Sequence, residues 1–529
     1  MQIRTISFNL PFLPVLARYI AQKHASNLPD LSSILVVFPS ERNKLYFREY
    51  LLQATGREGI ITPCLFTIEQ LYDHVFEKTG GRKADLPEEI ERNVLLKEAV
   101  EEVKAKNWKE LSFIKFVSIG RKLLGFFDEL TSWNLTIEEI ENAKETLHFP
   151  SQYIDEELPI LKKIHERYKT ILDDRSLIDT ISSYLSTAKN FKPKHLKDFE
   201  FIYIAGFLAF TFTDALFIKK ILTNLPSELI LHSDRSKLKD HSLDNIFYHH
   251  NKILNLLKIN AEDIETISYR AFNKNPTTQV YIQKCKNILD EVSFIINTLC
   301  NLLPRYSLHR IGVILPEESF YLPLTDALKK FNIPYNLSMG ISFKHSPLYS
   351  FFRSAYELID SDFKANQFLI LLQNPILKGI TKKGVPFREL IYKLDSKIRK
   401  ENLSHLSVAG RDSETQILID YIFEVIGKLN QDHAFSQYVK NMRGIIQELA
   451  ELNEEFCKKN AKILTELIDK LITIENSQVP DELCPKGKDK LRLLINILEG
   501  MSFPTSGDFL NGVQIIGILE ARNIDFDCI

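Results

Sequence analysis

The stretch that most constrains the fold is the last one, GVQIIGILEARNIDFDCI, from Gly512 to Ile529. Its apolar run, Val513 to Ile518 with alternation around Gln514, reads as a buried strand. Glu520, Ala521, Arg522 and Asn523 then crowd charge and turn-forming residues before a second apolar patch. A charged knuckle directly after a core strand is where open α/β sheets meet their ligands. Comparable runs recur at Ile34–Phe38, Phe201–Ala205, 227–234 and 311–315, most of them leading through a turn into a helical pattern. Between them, residues 86–189 and 346–507 read as almost wholly helical. The expected class is α/β: two parallel-sheet domains, each with a large all-helical insertion.

At 529 residues the chain exceeds what one core can hold. Net charge is −2, from 67 basic and 69 acidic side chains, so any nucleic-acid contact must come from locally clustered charge. The six cysteines are scattered, without the short paired spacings of a metal or redox site, as for inert thiols in a reducing compartment. The N-terminus, MQIRTISFNLPFLPVL, lacks the pattern of a secretory signal, and no stretch approaches the roughly 20 apolar residues that span a bilayer. A cytoplasmic protein with no membrane partner is expected.

Several segments carry candidate chemistry. After Ile34–Phe38, a Pro39-Ser40 turn enters a helix bearing Arg42 and Lys44. Ser40 as N-cap would leave backbone N–H groups pointing outward beside those two cations, a seat for phosphate or an ordinary solvated helix face. Thr67 precedes an amphipathic helix that ends at Gly80-Gly81, so it is a cap by position. A strand is expected near the start of 277–304, ahead of a helix containing Glu291. Residues 235–275 read as polar and irregular, with His249, His250 and Asn251 in a surface loop or helix end and no third ligand at metal spacing. The loop QVPDELCPKGKDK superficially echoes a nuclease signature, but no strand accompanies it.

The C-terminal stretch, "ILEARNIDFD", resembles the coupling motif of superfamily I DNA helicases and is most similar to its degenerate form in the AddB family, the helicase-like and nuclease subunits of bacterial double-strand-break resection complexes. The Pro39-Ser40-Arg42 segment, the Thr67 helix and the 311–315 strand with its helix resemble successive helicase elements. The resemblance implies two RecA-like domains, 1–85 with 190–270 and 271–345 with 508–529, the second truncated, and helical insertions at 86–189 and 346–507. It implies single-stranded or duplex-end DNA and an AddA-like motor subunit as partners, with Arg42, Lys44, Thr67, Gln514, Glu520 and Arg522 as candidate DNA contacts. Glu520 and Arg522 could equally pair with each other to fix the turn.

Three nucleotide features of an active helicase are missing. After the first strand the chain gives Asn9-Leu10-Pro11-Phe12-Leu13-Pro14, where two prolines lack N–H donors and no lysine lies within the turn, so no phosphate nest is expected to form. Ala205 and Gly206 stand where an Asp-Glu pair would hold magnesium. Pro316, Glu317 and Glu318 replace a γ-phosphate arginine, and two acids would repel a triphosphate. No ATP hydrolysis, no nuclease site and no cofactor are expected in this chain. The resemblance places a nuclease domain, with possible iron–sulfur cluster and magnesium, beyond it, because the chain stops inside a motif. The alternatives are a docking scaffold without DNA binding, or an ATPase or nuclease within the chain.

Overall fold

The computed structural model describes the chain except residues 148–151, 239–241, 243–244, 270–278, 318–319, 339, 406–414, 478 and 504–510. Six parallel strands form the larger sheet: β1 (Gln2–Ile6), β2 (Ile34–Phe38), β3 (Cys64–Thr67), β4 (Phe201–Ala205), β5 (Ser227–His232) and β6 (Glu265–Ile267), in the order β3-β2-β4-β5-β1-β6. Parallel strands covered on both faces need apolar residues at every position, and Ile34 to Phe38 are all fully buried. Alternate residues serve opposite layers: Leu35, Val37, Ile202 and Ile204 face one hydrophobic cluster, Ile34, Val36, Phe38 and Tyr203 the other. One strand, β5, separates β1 from β4. The loops that follow β1, β2 and β4 therefore gather at one edge of the sheet, beside the point where strand order reverses.

Helices connect these strands and begin where the sequence places their caps. Ser40 accepts from the Asn43 amide at the start of the helix Glu41–Thr55, and Thr67 with Gln70 forms a reciprocal capping box at Ile68–Lys78. Between β3 and β4 most of the described residues are helical and none is in a strand.

A second, smaller parallel sheet has β7 (Gly312–Leu315), β8 (Tyr335–Leu337) and β13 (Val513–Gly517) in the order β7-β13-β8, so the final strand is central. Between β8 and β13 lie two short strand pairs, β9 (Ile341–Ser342) with β12 (Ser502–Phe503) and β10 (Thr381–Lys382) with β11 (Val385–Pro386), amid helices. The helices of both helical segments share one hydrophobic cluster, running from Ile90 to Leu172 and from Phe343 to Phe503. Arg121 donates to the Asn496 carbonyl (3.3 Å) and Lys470 pairs with Glu88 (2.8 Å) across that junction. Among the described residues no helix is long and apolar enough to cross a membrane.

Two expectations are corrected. Among the described residues, 279–286 contain no strand, and Val280, Tyr281 and Ile282 are 78%, 81% and 94% exposed. Among the described residues no strand pairs with this backbone to complete a ladder, and an unpaired strand is not stable in water. His249, His250 and Asn251 do stand at a helix end, in the first turn of Tyr248–Leu257, but the segment is regular there and His250 and Asn251 are buried on the inner face rather than at the surface; β6 follows on the sheet edge. The helix's apolar positions Ile253, Leu254 and Leu257 drive that burial. Glu318, one of the two acids after β7, lies outside the described residues.

Candidate functional site

At the carboxyl edge of the larger sheet the turn after β1 is closed upon itself. Ser7 donates its hydroxyl to Asp234 (2.6 Å), and the Leu10 amide donates to the Ser7 carbonyl (2.9 Å). The Leu10 carbonyl accepts from His232 Nε2 (3.1 Å), so that nitrogen carries the proton. Burial pushes the His232 imidazole down to about 4, which keeps it neutral. Phe8 and Phe12 flank that imidazole with ring centroids 4.9 and 5.1 Å away. Phe12 is 1% exposed, and its ring occupies the space directly above the end of β4.

That strand end is Gly206, at φ 77°, whose amide donates to the Ile230 carbonyl (2.9 Å). A Cβ there would lie 2.9 Å from Phe12 Cε1 and 2.4 Å from Asn523 Nδ2, so only glycine fits. The Gly206 carbonyl accepts from Asn523 Nδ2 (2.8 Å). Asn523 belongs to the charged turn after β13, so the second sheet reaches across and seals the end of β4. Ile524, next to it, packs into a core cluster of the first sheet.

Three further contacts join the two sheets. Arg42 Nη2 donates to Gln514 Oε1 (3.1 Å), which also accepts from Asn336 (2.8 Å), while Gln514 Nε2 donates to the Gly512 carbonyl (2.6 Å). Asn43 Nδ2 donates to the Arg522 carbonyl (3.0 Å). Arg310, immediately before β7, donates to the Tyr50 hydroxyl (3.2 Å), to the Asp525 carbonyl (2.8 Å) and carboxylate (3.1 Å), and to Asp527 (2.8 Å). Burial opposes the Arg310 charge, but its hydrogen bonds to the Asp527 and Asp525 carboxylates outweigh that and raise the guanidinium above its ordinary value.

The candidate residues named from the sequence divide between two networks. Arg42 and Gln514 are buried and bonded to each other, with Arg42 Nη1 left without a hydrogen-bond partner. Burial lowers the Arg42 pKa, and the through-space attraction of Tyr46 and Glu520 opposes that. Lys44 is buried between Glu41 (2.6 Å) and Gln70 (2.8 Å). Thr67 is buried as the helix cap. Glu520 and Arg522 are half-buried, and Arg522 Nε donates to the Leu519 carbonyl (2.8 Å). Thus Arg42, Gln514, Glu520 and Arg522 converge on one seam, whereas Lys44 and Thr67 form a separate network through Gln70. Sequence reasoning missed Arg310, Asn43 and Asn523. The paired acids Asp525 and Asp527, two residues apart, were the signal that a cation would sit between them.

The family model described as "ADDB, N-terminal" matches residues 16–289, just over half of the chain. This chain belongs to the AddB family. Over 442 residues, 73% of this chain, it is 22% identical to an ATP-dependent helicase/deoxyribonuclease subunit of Staphylococcus aureus strain USA300, and equally so to those of strains NCTC 8325 and JH9. The matched region is 35% of the length of each of these AddB relatives.

Proposed function

We propose that this AddB-family region is a nucleotide-free scaffold that holds DNA while a partner motor subunit supplies movement, in the processing of broken DNA ends for recombination. The observation that carries this reading is the filled cleft. Where a nucleotide would need open backbone amides and a pair of carboxylates, the chain places the Phe12 ring, the neutral His232 and the Asn523 amide bonded to Gly206. Phosphate binding at that turn would require displacing buried aromatic surface as well as supplying donors that Pro11 and Pro14 lack.

The name of the relatives couples ATP-dependent helicase and deoxyribonuclease activity in a subunit, which supports assembly with a further chain and action on DNA. The reading assigns nuclease chemistry, with any magnesium or iron–sulfur cluster, to the length of those relatives that this chain does not span. Candidate DNA contacts on the seam are Glu520 and Arg522, the half-exposed members, with Arg42 and Gln514 behind them.

One observation favours a second reading, a docking scaffold without DNA affinity: Arg42, Lys44, Thr67 and Gln514 are committed to internal bonds. Fluorescence anisotropy with a labelled oligonucleotide at several salt concentrations separates the two. Binding whose affinity falls steeply with salt supports the first, and absence of binding supports the second. Calorimetric titration with ATP and magnesium is expected to show no heat of binding, and saturable binding at the β1 turn would refute the filled cleft.

A further inference from the structure

The helix Phe387–Lys400 lies far along the chain from the seam and is amphipathic to an unusual degree of separation. Phe387, Leu390, Ile391, Leu394 and Ile398 are all buried, at i, i+3, i+4, i+7 and i+11. One outer flank carries Arg388, Tyr392 and Arg399, at i, i+4 and i+11 on that side. Tyr392 is 77% exposed. Just ahead of the helix, the β10–β11 hairpin turns through Lys383 and Gly384, with φ of 52° and 75°, as a tight two-residue hairpin requires. The hairpin is pinned to the helix start by the Phe387 amide donating to the Ile380 carbonyl (2.8 Å), which presents exposed Lys383 at the end of the helix where Arg388 stands.

Charge is concentrated here. Residues 378–400 hold eight basic and two acidic side chains, in a chain whose net charge is −2. Among the described residues no carboxylate pairs with Lys383 or Arg388, and exposed Arg399 bonds Asp395 through Nε alone (3.0 Å). Lys382, by contrast, turns inward over the Tyr421 ring (4.2 Å) and toward Glu424.

We infer that Lys383, Arg388, Tyr392 and Arg399 form a docking surface for single-stranded nucleic acid, with the cations on backbone phosphates and the Tyr392 ring stacked on a base. The eleven helical steps from Arg388 to Arg399 span about 16 Å, long enough for several successive phosphates. A phosphate backbone is the polyanion that complements a row of separated cations. The exposed ring between them decides for the unpaired strand, because bases within a duplex are already stacked on both faces. This surface rests on the nucleic-acid-binding reading above and adds a second contact region, on an element that contributes none of the seam's contacts.

The test uses the full chain and two exposed-residue variants, Tyr392→Ala and the double variant Lys383→Ala/Arg388→Ala, each checked by circular dichroism for an unchanged melting curve. Labelled single-stranded and duplex oligonucleotides are titrated at several salt concentrations. Tyr392→Ala is expected to weaken single-strand binding about tenfold while changing duplex binding less than about twofold. The double variant is expected to lower the single-strand salt slope by about 1.4, roughly 0.7 for each phosphate that is no longer neutralised. If the parent binds and both variants match it, the surface is refuted while the scaffold reading stands. Equal losses on duplex and single strand with Tyr392→Ala overturn the stacking assignment. If the parent binds neither oligonucleotide, the DNA-holding reading and this surface fall together.

Discussion

Gly206→Ala is the sharpest perturbation of the filled cleft. The new Cβ would sit 2.9 Å from Phe12 Cε1 and 2.4 Å from Asn523 Nδ2, at a backbone φ of 77°. Holding alanine in the left-handed region costs about 1–2 kcal/mol, and crowding a packed ring costs about 1–3 kcal/mol more. Asn523 is the movable partner, since its amide is the end of a side chain, so it swings away and surrenders its bond to the Gly206 carbonyl, about 1 kcal/mol. The total is about 3–6 kcal/mol, part of it expressed as loosening of the turn after β13. Urea denaturation measures the total, and hydrogen exchange over residues 519–526 locates it. Asn523→Ala alone should cost about 1 kcal/mol. In the double variant the clash with Asn523 is gone, so the combined cost should fall below the sum of the singles by about 1 kcal/mol or more. A Gly206→Ala cost under about 0.5 kcal/mol, or strict additivity in the cycle, refutes the claim that Phe12 and Asn523 fill this space.

Three other outcomes follow from the same structure. Arg42 is buried with one neutral hydrogen-bond partner, so Arg42→Met is expected to be neutral or stabilising by about 1–2 kcal/mol in denaturation, while Gln514→Ala, which strands the charge, destabilises by about 3 kcal/mol. Lys97 donates to the carbonyls of Trp108 (3.2 Å), Lys109 (2.7 Å) and Leu111 (3.1 Å), and Lys97→Met leaves these three acceptors without it, lowering stability by about 2–4 kcal/mol in the same assay. Burial lowers His165, His232 and His250 to about 4 from an ordinary 6.5, so below pH 6.5 the unfolded chain takes up protons that the folded one refuses. Stability should then fall by about 1.4 kcal/mol per pH unit for each histidine between pH 6.5 and 4, and a flat urea midpoint across that window would count against their burial.

Local chemistry was legible in the chain. The strands at Ile34–Phe38, Phe201–Ala205 and Val513–Gly517 announce themselves as short β-branched runs, because burial on both faces demands apolar residues at consecutive positions. Ser40 and Thr67 announce helix starts, because a side-chain oxygen there satisfies amides within three residues. The two prolines after β1, Pro11 and Pro14, are likewise a local signal, since neither has an N–H to donate whatever the rest of the molecule does.

Partners across long separations were not legible. Arg42 and Gln514 lie 472 residues apart, and nothing in either segment says that the guanidinium meets an amide rather than a phosphate. The same holds for Asn523 on Gly206, for Arg310 between Tyr50 and Asp525, and for the cluster shared by the two helical segments. The unpaired stretch at Val280–Ile282 carries strand-like residues, yet strand formation depends on a neighbour that only tertiary packing can supply. Propensity and capping act over a few residues, and the sequence by itself therefore determined the elements and where they begin. The route of the chain through six parallel strands and back across the seam decided which side chains face each other, and so what now occupies the cleft.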